Sequence, residues 1–61
     1  MTANEWLVLD NLNNRWPYQT NVPAGDADAA LRACVAAGHV REGKLTDSGR
    51  AALLAERAVR G

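Results

Sequence analysis

Sixty-one residues make one domain, close to the lower limit for folding alone, because so short a chain buries only about 60% of its unfolded surface. Cys34 is the only cysteine and His39 the only histidine, which excludes an internal disulfide and a zinc site built from Cys and His alone, since such a site takes about four ligands. The formal net charge is zero, yet residues 1–28 carry four acids against Arg15 while residues 29–61 carry six basic groups against three acids, a division that suggests one face offered to an anionic partner.

In chain order, Thr2-Ala3-Asn4-Glu5 reads as a capping box that starts a helix at about Ala3. At helical spacing Val8, Leu12, Trp16, Leu9 and Trp6 fall on one arc, with Asp10, Asn11 and Asn14 opposite. Asn13 and Asn14 weaken the helix end and Pro17 disfavours helix at Trp16, so the helix is predicted to stop near Arg15. Residues 16–25 hold both prolines and the only tyrosine; they read as an ordered connection with a short extended piece at Tyr18 to Asn21. Trp16, Tyr18 and Val22 alternate as a loop laying apolar groups on a core, a plainer reading than an aromatic ligand cage.

Asp26 is the candidate N-cap of a second helix, with Asp28 in its first turn and Gly38 closing it in the left-handed conformation. Ala27, Ala30, Leu31, Cys34 and Val35 share one face. The opposite face, Ala29, Arg32, Ala33 and Ala36, is almost bare of hydrogen-bonding groups. His39 to Thr46 reads as a two-strand hairpin turning at Glu42-Gly43. In that register Val40 opposes Leu45 on the core side, and Arg41 opposes Lys44 at the tip, where like charges repel and a nearby anion would bring relief. Thr46 then caps a last helix from Asp47 to about Arg60. Its apolar arc is Leu54, Ala58, Ala51, Ala55, Val59 and Ala52. Arg50, Leu53, Arg57 and Arg60 lie together on the other side, a basic stripe around an exposed leucine.

The fold class expected is therefore mainly α with a small β-hairpin, three helices plus a wing. The run from Ala36 to Arg50, with Gly38-His39-Val40 leading into the hairpin and Leu45-Thr46-Asp47-Ser48-Gly49-Arg50 leading out, resembles winged-helix regulators of the MarR type. In that family a recognition helix ends in a Gly-hydrophobic step, the wing follows, and a Leu-Thr-x-x-Gly-Arg segment starts the next helix. The resemblance covers roughly residues 27–60. It implies that Ala27 to Ala37 is the recognition helix and that Arg41 and Lys44 are wing contacts to phosphate; the stretch from Arg15 to Asp26 is too short for an ordinary first helix, so the helix-turn-helix is reduced or truncated there.

Catalysis is not expected. His39 is the only side chain with an unperturbed pKa near neutrality, Cys34 falls on the buried face of its helix, and so short a chain has little room to enclose a pocket. No glycine-rich phosphate loop is present, and Asp26 with Asp28 lacks the further ligands of a calcium loop; no metal or cofactor is expected. The apolar runs, such as Trp6 to Leu9, are far short of the ~20 residues that span a bilayer. An acid at Glu5 argues against a secretion signal, and an unpaired cysteine fits the reducing cytoplasm.

Two readings of function follow. One is a small winged-helix regulator of transcription or recombination that contacts duplex DNA through Arg41, Lys44, Arg50 and Arg32. The other is a protein-interaction module on the same scaffold that uses Arg50, Leu53, Arg57 and Arg60, or the bare alanine face, against a protein or a second copy of itself. Electroneutrality, the alanine face and the expected exposure of Leu53 motivate the second reading, and small phage or mobile-element chains that modify host machinery are of this kind.

Overall fold

The computed structural model describes residues 1–60, in the order helix, helix, hairpin, helix. The first helix, α1 (Ala3–Asn13), opens with the expected capping box. Thr2 Oγ1 accepts from the Glu5 amide at 3.2 Å, and Glu5 Oε1 accepts from the Thr2 amide at 3.1 Å, so two of the unpaired donors of the helix start are satisfied. Val8 and Leu9 are fully buried, with Trp6 and Leu12 partly buried beside them.

Asn11 departs from the helical-wheel expectation. Expected on the polar side, it is 2% exposed. Its Nδ2 donates to the Tyr18 carbonyl at 2.9 Å and the Thr20 carbonyl at 2.7 Å, because the connection after α1 folds back over that side of the helix. The amide thus pairs backbone carbonyls that have no strand or helix to satisfy them. Asn11→Ala should lower stability by about 2 kcal/mol, the usual range for stranding buried polar groups; urea unfolding followed by circular dichroism measures it.

The connection itself is a chain of turns rather than the extended piece expected at Tyr18 to Asn21. The Thr20 amide donates to the Pro17 carbonyl and the Val22 amide to the Gln19 carbonyl, both at 3.1 Å. The Tyr18 hydroxyl donates to Asp28 Oδ1, which ties the connection to the next helix and raises the phenol pKa through that hydrogen bond. Tyr18 and Val22 pack against the core as expected, but Trp16 does not and is 52% exposed.

The second helix, α2 (Asp26–Ala36), is capped by Gly25 at φ 88° with no side-chain hydrogen bond, so Asp26 is its first residue rather than its cap. Ala27, Ala30 and Cys34 face inward, while Val35, expected beside them, is 51% exposed. The helix ends as the sequence suggests. Gly38, at φ 81°, donates to Val35, and His39 donates to the Cys34 carbonyl at 2.9 Å, the paired bonds of a Schellman motif.

Strands β1 (Val40–Arg41) and β2 (Lys44–Leu45) pair antiparallel in the expected register, Val40 opposite Leu45 and Arg41 opposite Lys44. Glu42 at φ 53° and Gly43 at φ 76° make the turn, the two positive values that match a tight turn to strand twist. The hairpin leads straight into α3 (Asp47–Arg60). Thr46 Oγ1 accepts from the Gly49 amide at 3.0 Å, as an N-cap should, and also donates to the Gly38 carbonyl at 2.6 Å. One hydroxyl therefore joins the end of α2 to the start of α3.

Among the described residues Val8, Leu9, Ala30, Cys34, Val40 and Leu53 form the buried cluster, drawn from all three helices and the hairpin. Burial pushes the Cys34 thiol up to about 11, which holds it in the unreactive protonated form. Leu53 is the largest correction. Expected as the exposed leucine of a basic stripe, it is 1% exposed, whereas Leu54 is 55% and Val59 81% exposed. The cause lies one turn earlier. A Cβ on Gly49 would stand 2.0 Å from the His39 carbonyl oxygen, so this glycine must face the hairpin root. The residue four positions later shares its side of the helix, and that residue is Leu53. The apolar arc of Ala51, Leu54, Ala55, Ala58 and Val59 is left outside; only Ala52 reaches the core.

Candidate nucleic-acid interface

The rotation of α3 redistributes the basic residues. Arg57 turns toward α1 and donates to Asp10 Oδ1 at 2.9 Å. Arg60 pairs with Glu56 at 3.1 Å and lies over the Trp6 ring at 5.1 Å from its centroid. The C-terminal half of the expected stripe is thereby engaged within the chain, and Arg57, Arg60 and Leu53 do not form one outward surface.

The other end of the molecule gathers cations instead. The last turn of α1 closes with the same motif as α2: Arg15 donates to the Leu12 carbonyl at 3.1 Å and Trp16 to the Asn11 carbonyl at 2.9 Å. At the position where α2 uses Gly38, α1 has Arg15 at φ 61°. An L-residue with a side chain held there costs about 1–2 kcal/mol, a local penalty that glycine escapes. The motif reverses the chain and sets Arg15 and Trp16 against the hairpin.

Between them lies an open groove of about 820 Å³. The end of α1 supplies Arg15 and Trp16, the hairpin supplies Lys44, and the first turn of α3 supplies Arg50, with Leu12 and Leu45 as its floor. Arg41 sits opposite Lys44 on the same face of the hairpin. Asp47 lies 3.6 Å from Arg50, but both side chains are largely solvated, so the pair is weak and screened by salt; Glu42 in the hairpin turn is a second exposed acid at this end. The groove combines a concentration of positive charge with one exposed indole.

Of the residues singled out by sequence, Lys44 and Arg50 meet in this groove and Arg41 adjoins it. Arg32 stands apart, exposed on α2 between Ala29 and Ala36, with Asp26 and Asp28 on the same helix. Arg15 was not singled out, and Trp16 was expected as part of a loop over the core; the helix-ending signals at Asn13, Asn14 and Pro17 do not say which way the chain turns. Among the described residues no three His, Cys, Asp or Glu side chains come together as metal ligands, and no helix is long and apolar enough to cross a membrane. No family model, no curated protein and no solved structure matches the chain.

Proposed function

We propose that this chain is a non-catalytic DNA-binding module of winged-helix type that holds the phosphate backbone at its hairpin end. One observation carries the reading: Arg15, remote in sequence, joins Lys44 and Arg50 on one groove. With Arg41 beside them, they give a locally positive surface to a chain whose net charge is zero, and local potential rather than net charge steers an anionic partner. The outward face of α2 offers Arg32 alone for base edges, whereas direct readout takes several such groups. Binding through phosphate contacts tolerates sequence.

Binding to a random duplex, measured by fluorescence anisotropy, should weaken with salt with a log-log slope of about −3 to −4, the value for roughly four phosphate contacts. Lys44→Ala or Arg50→Ala should each reduce that slope by about 1. Arg57→Ala should leave it unchanged, since Arg57 is held by Asp10. Absence of any duplex binding at low salt would refute the proposal.

The exposed arc of α3 favours a second reading, self-association. Ala51, Ala55 and Ala58 allow close approach of two helices, with Leu54 and Val59 as the apolar contacts. Antiparallel pairing would bring the solvated Asp47 of one α3 toward the Arg57 and Arg60 end of the other. Sedimentation equilibrium should then find a dimer that Leu54→Glu converts to monomer; a strict monomer for the unmodified chain would exclude this reading.

A further inference from the structure

We infer that the groove between the end of α1 and the hairpin accepts an unstacked nucleobase on Trp16, with its flanking phosphates on Arg15, Lys44 and Arg50, so that the preferred ligand is single-stranded rather than duplex nucleic acid. This rests on the DNA-binding reading and adds to it the part of the nucleic acid that the site selects. Three observations lead there.

First, Trp16 is the free aromatic ring among the described residues. Trp6 lies under the Arg60 guanidinium and Tyr18 is tied to Asp28, whereas Trp16 is 52% exposed and lines the groove. A phosphate can engage an indole only through its single N–H and leaves the ring's π-face unused. A splayed base uses that face, since every base presents a π-face for stacking. Second, the ring stands among three cations contributed by three separate elements, the pairing of stacking platform and electrostatic groove by which single strands are held. Third, the chain accepts a left-handed arginine at Arg15 where glycine would end the helix without strain. A conformational penalty kept at the rim of a groove points to use of that side chain.

A strand and a free nucleotide share this chemistry, and competition separates them. The test measures binding of fluorescein-labelled oligothymidylate of about ten nucleotides, within the range one small domain covers, beside a duplex of equal length. The full chain should bind the single strand more tightly, with quenched tryptophan emission, and an equal concentration of free thymidine monophosphate should not displace it. Trp16→Ala should lose about tenfold or more in affinity for the strand, the usual consequence of removing one stacking platform, with duplex binding unchanged; Trp16→Phe should recover most of the loss. Arg15→Gly should raise the melting temperature by about 2–5 °C, the released strain being partly offset by glycine's greater freedom in the unfolded chain, while weakening strand binding several-fold, a combination that a purely structural arginine would not produce. The inference is overturned if Trp16→Ala or Arg15→Gly binds the strand as the unmodified chain does, if free nucleotide competes on equal terms, or if duplex is preferred. Absence of duplex binding by the unmodified chain at low salt would instead remove the DNA-binding reading on which the inference stands.

Discussion

Gly49→Ala should unfold a large part of the population at 37 °C. Alanine is intrinsically the better helix former by about 1 kcal/mol, and at most positions inside a helix the exchange stabilises. Here the added Cβ would sit 2.0 Å from the His39 carbonyl oxygen and 2.8 Å from its carbon, both backbone atoms that no rotamer change can move aside. Relief requires α3 to withdraw from the hairpin root. Withdrawal breaks the bond from the Thr46 amide to His39 at 3.0 Å and strains the Thr46 hydroxyl that joins Gly38 to Gly49. A net loss of about 3 kcal/mol is expected, the upper part of the overpacking range. A chain of this length has only about 3–9 kcal/mol in total, so the melting temperature should fall by about 12–24 °C. Thermal unfolding by circular dichroism measures it, and a shift of only a few degrees would show that the close approach is not maintained in solution.

Leu53→Ala and Leu54→Ala, adjacent in sequence and identical in chemistry, should differ widely. Leu53 is 1% exposed within the cluster formed with Val8, Leu9, Ala30, Cys34 and Val40, and truncating such a leucine costs about 2–5 kcal/mol through lost transfer energy and the cavity left behind. Leu54 is 55% exposed, and its truncation should stay within about 0.5 kcal/mol, as for other surface changes. Urea midpoints of the two variants report which side of α3 faces the core. A reversed order would mean that the helix turns its alanine-rich arc inward, as periodicity alone suggests. With that order the basic stripe of Arg50, Leu53, Arg57 and Arg60 would be restored to the surface, so the measurement also bears on where a partner is met.

Much of the fold was legible because its signals are local. Thr2 with Glu5, Gly38 after α2, Glu42-Gly43 in the hairpin and Thr46 before α3 each act through atoms a few residues away, and local hydrogen-bond chemistry has few alternatives. The hairpin register followed for the same reason: a two-residue turn leaves one pairing, Val40 with Leu45. The face each helix buries was less legible. For α1 the wheel placed Asn11 with the polar residues, and nothing nearby announced that two carbonyls of the following connection would descend on it. For α3 the wheel chose the arc with more apolar side chains, and the structure chose the side that could approach His39.

The candidate site was half legible. Lys44 and Arg41 stand out at a hairpin tip where like charges face each other, and Arg50 follows the hairpin. Arg15 and Trp16 join them only through the chain reversal at the end of α1. Amino-acid sequence by itself determined the three helices, the caps at Thr2, Gly38 and Thr46, and the hairpin register, because these depend on neighbours within about four residues. Tertiary structure alone decided the rotation of α3, the burial of Asn11 and Leu53, and the meeting of Arg15, Trp16, Lys44 and Arg50. The reason is steric: a backbone contact between Gly49 and His39 allows one orientation of the helix, and an apolar arc left in water costs less than two backbone atoms forced to overlap.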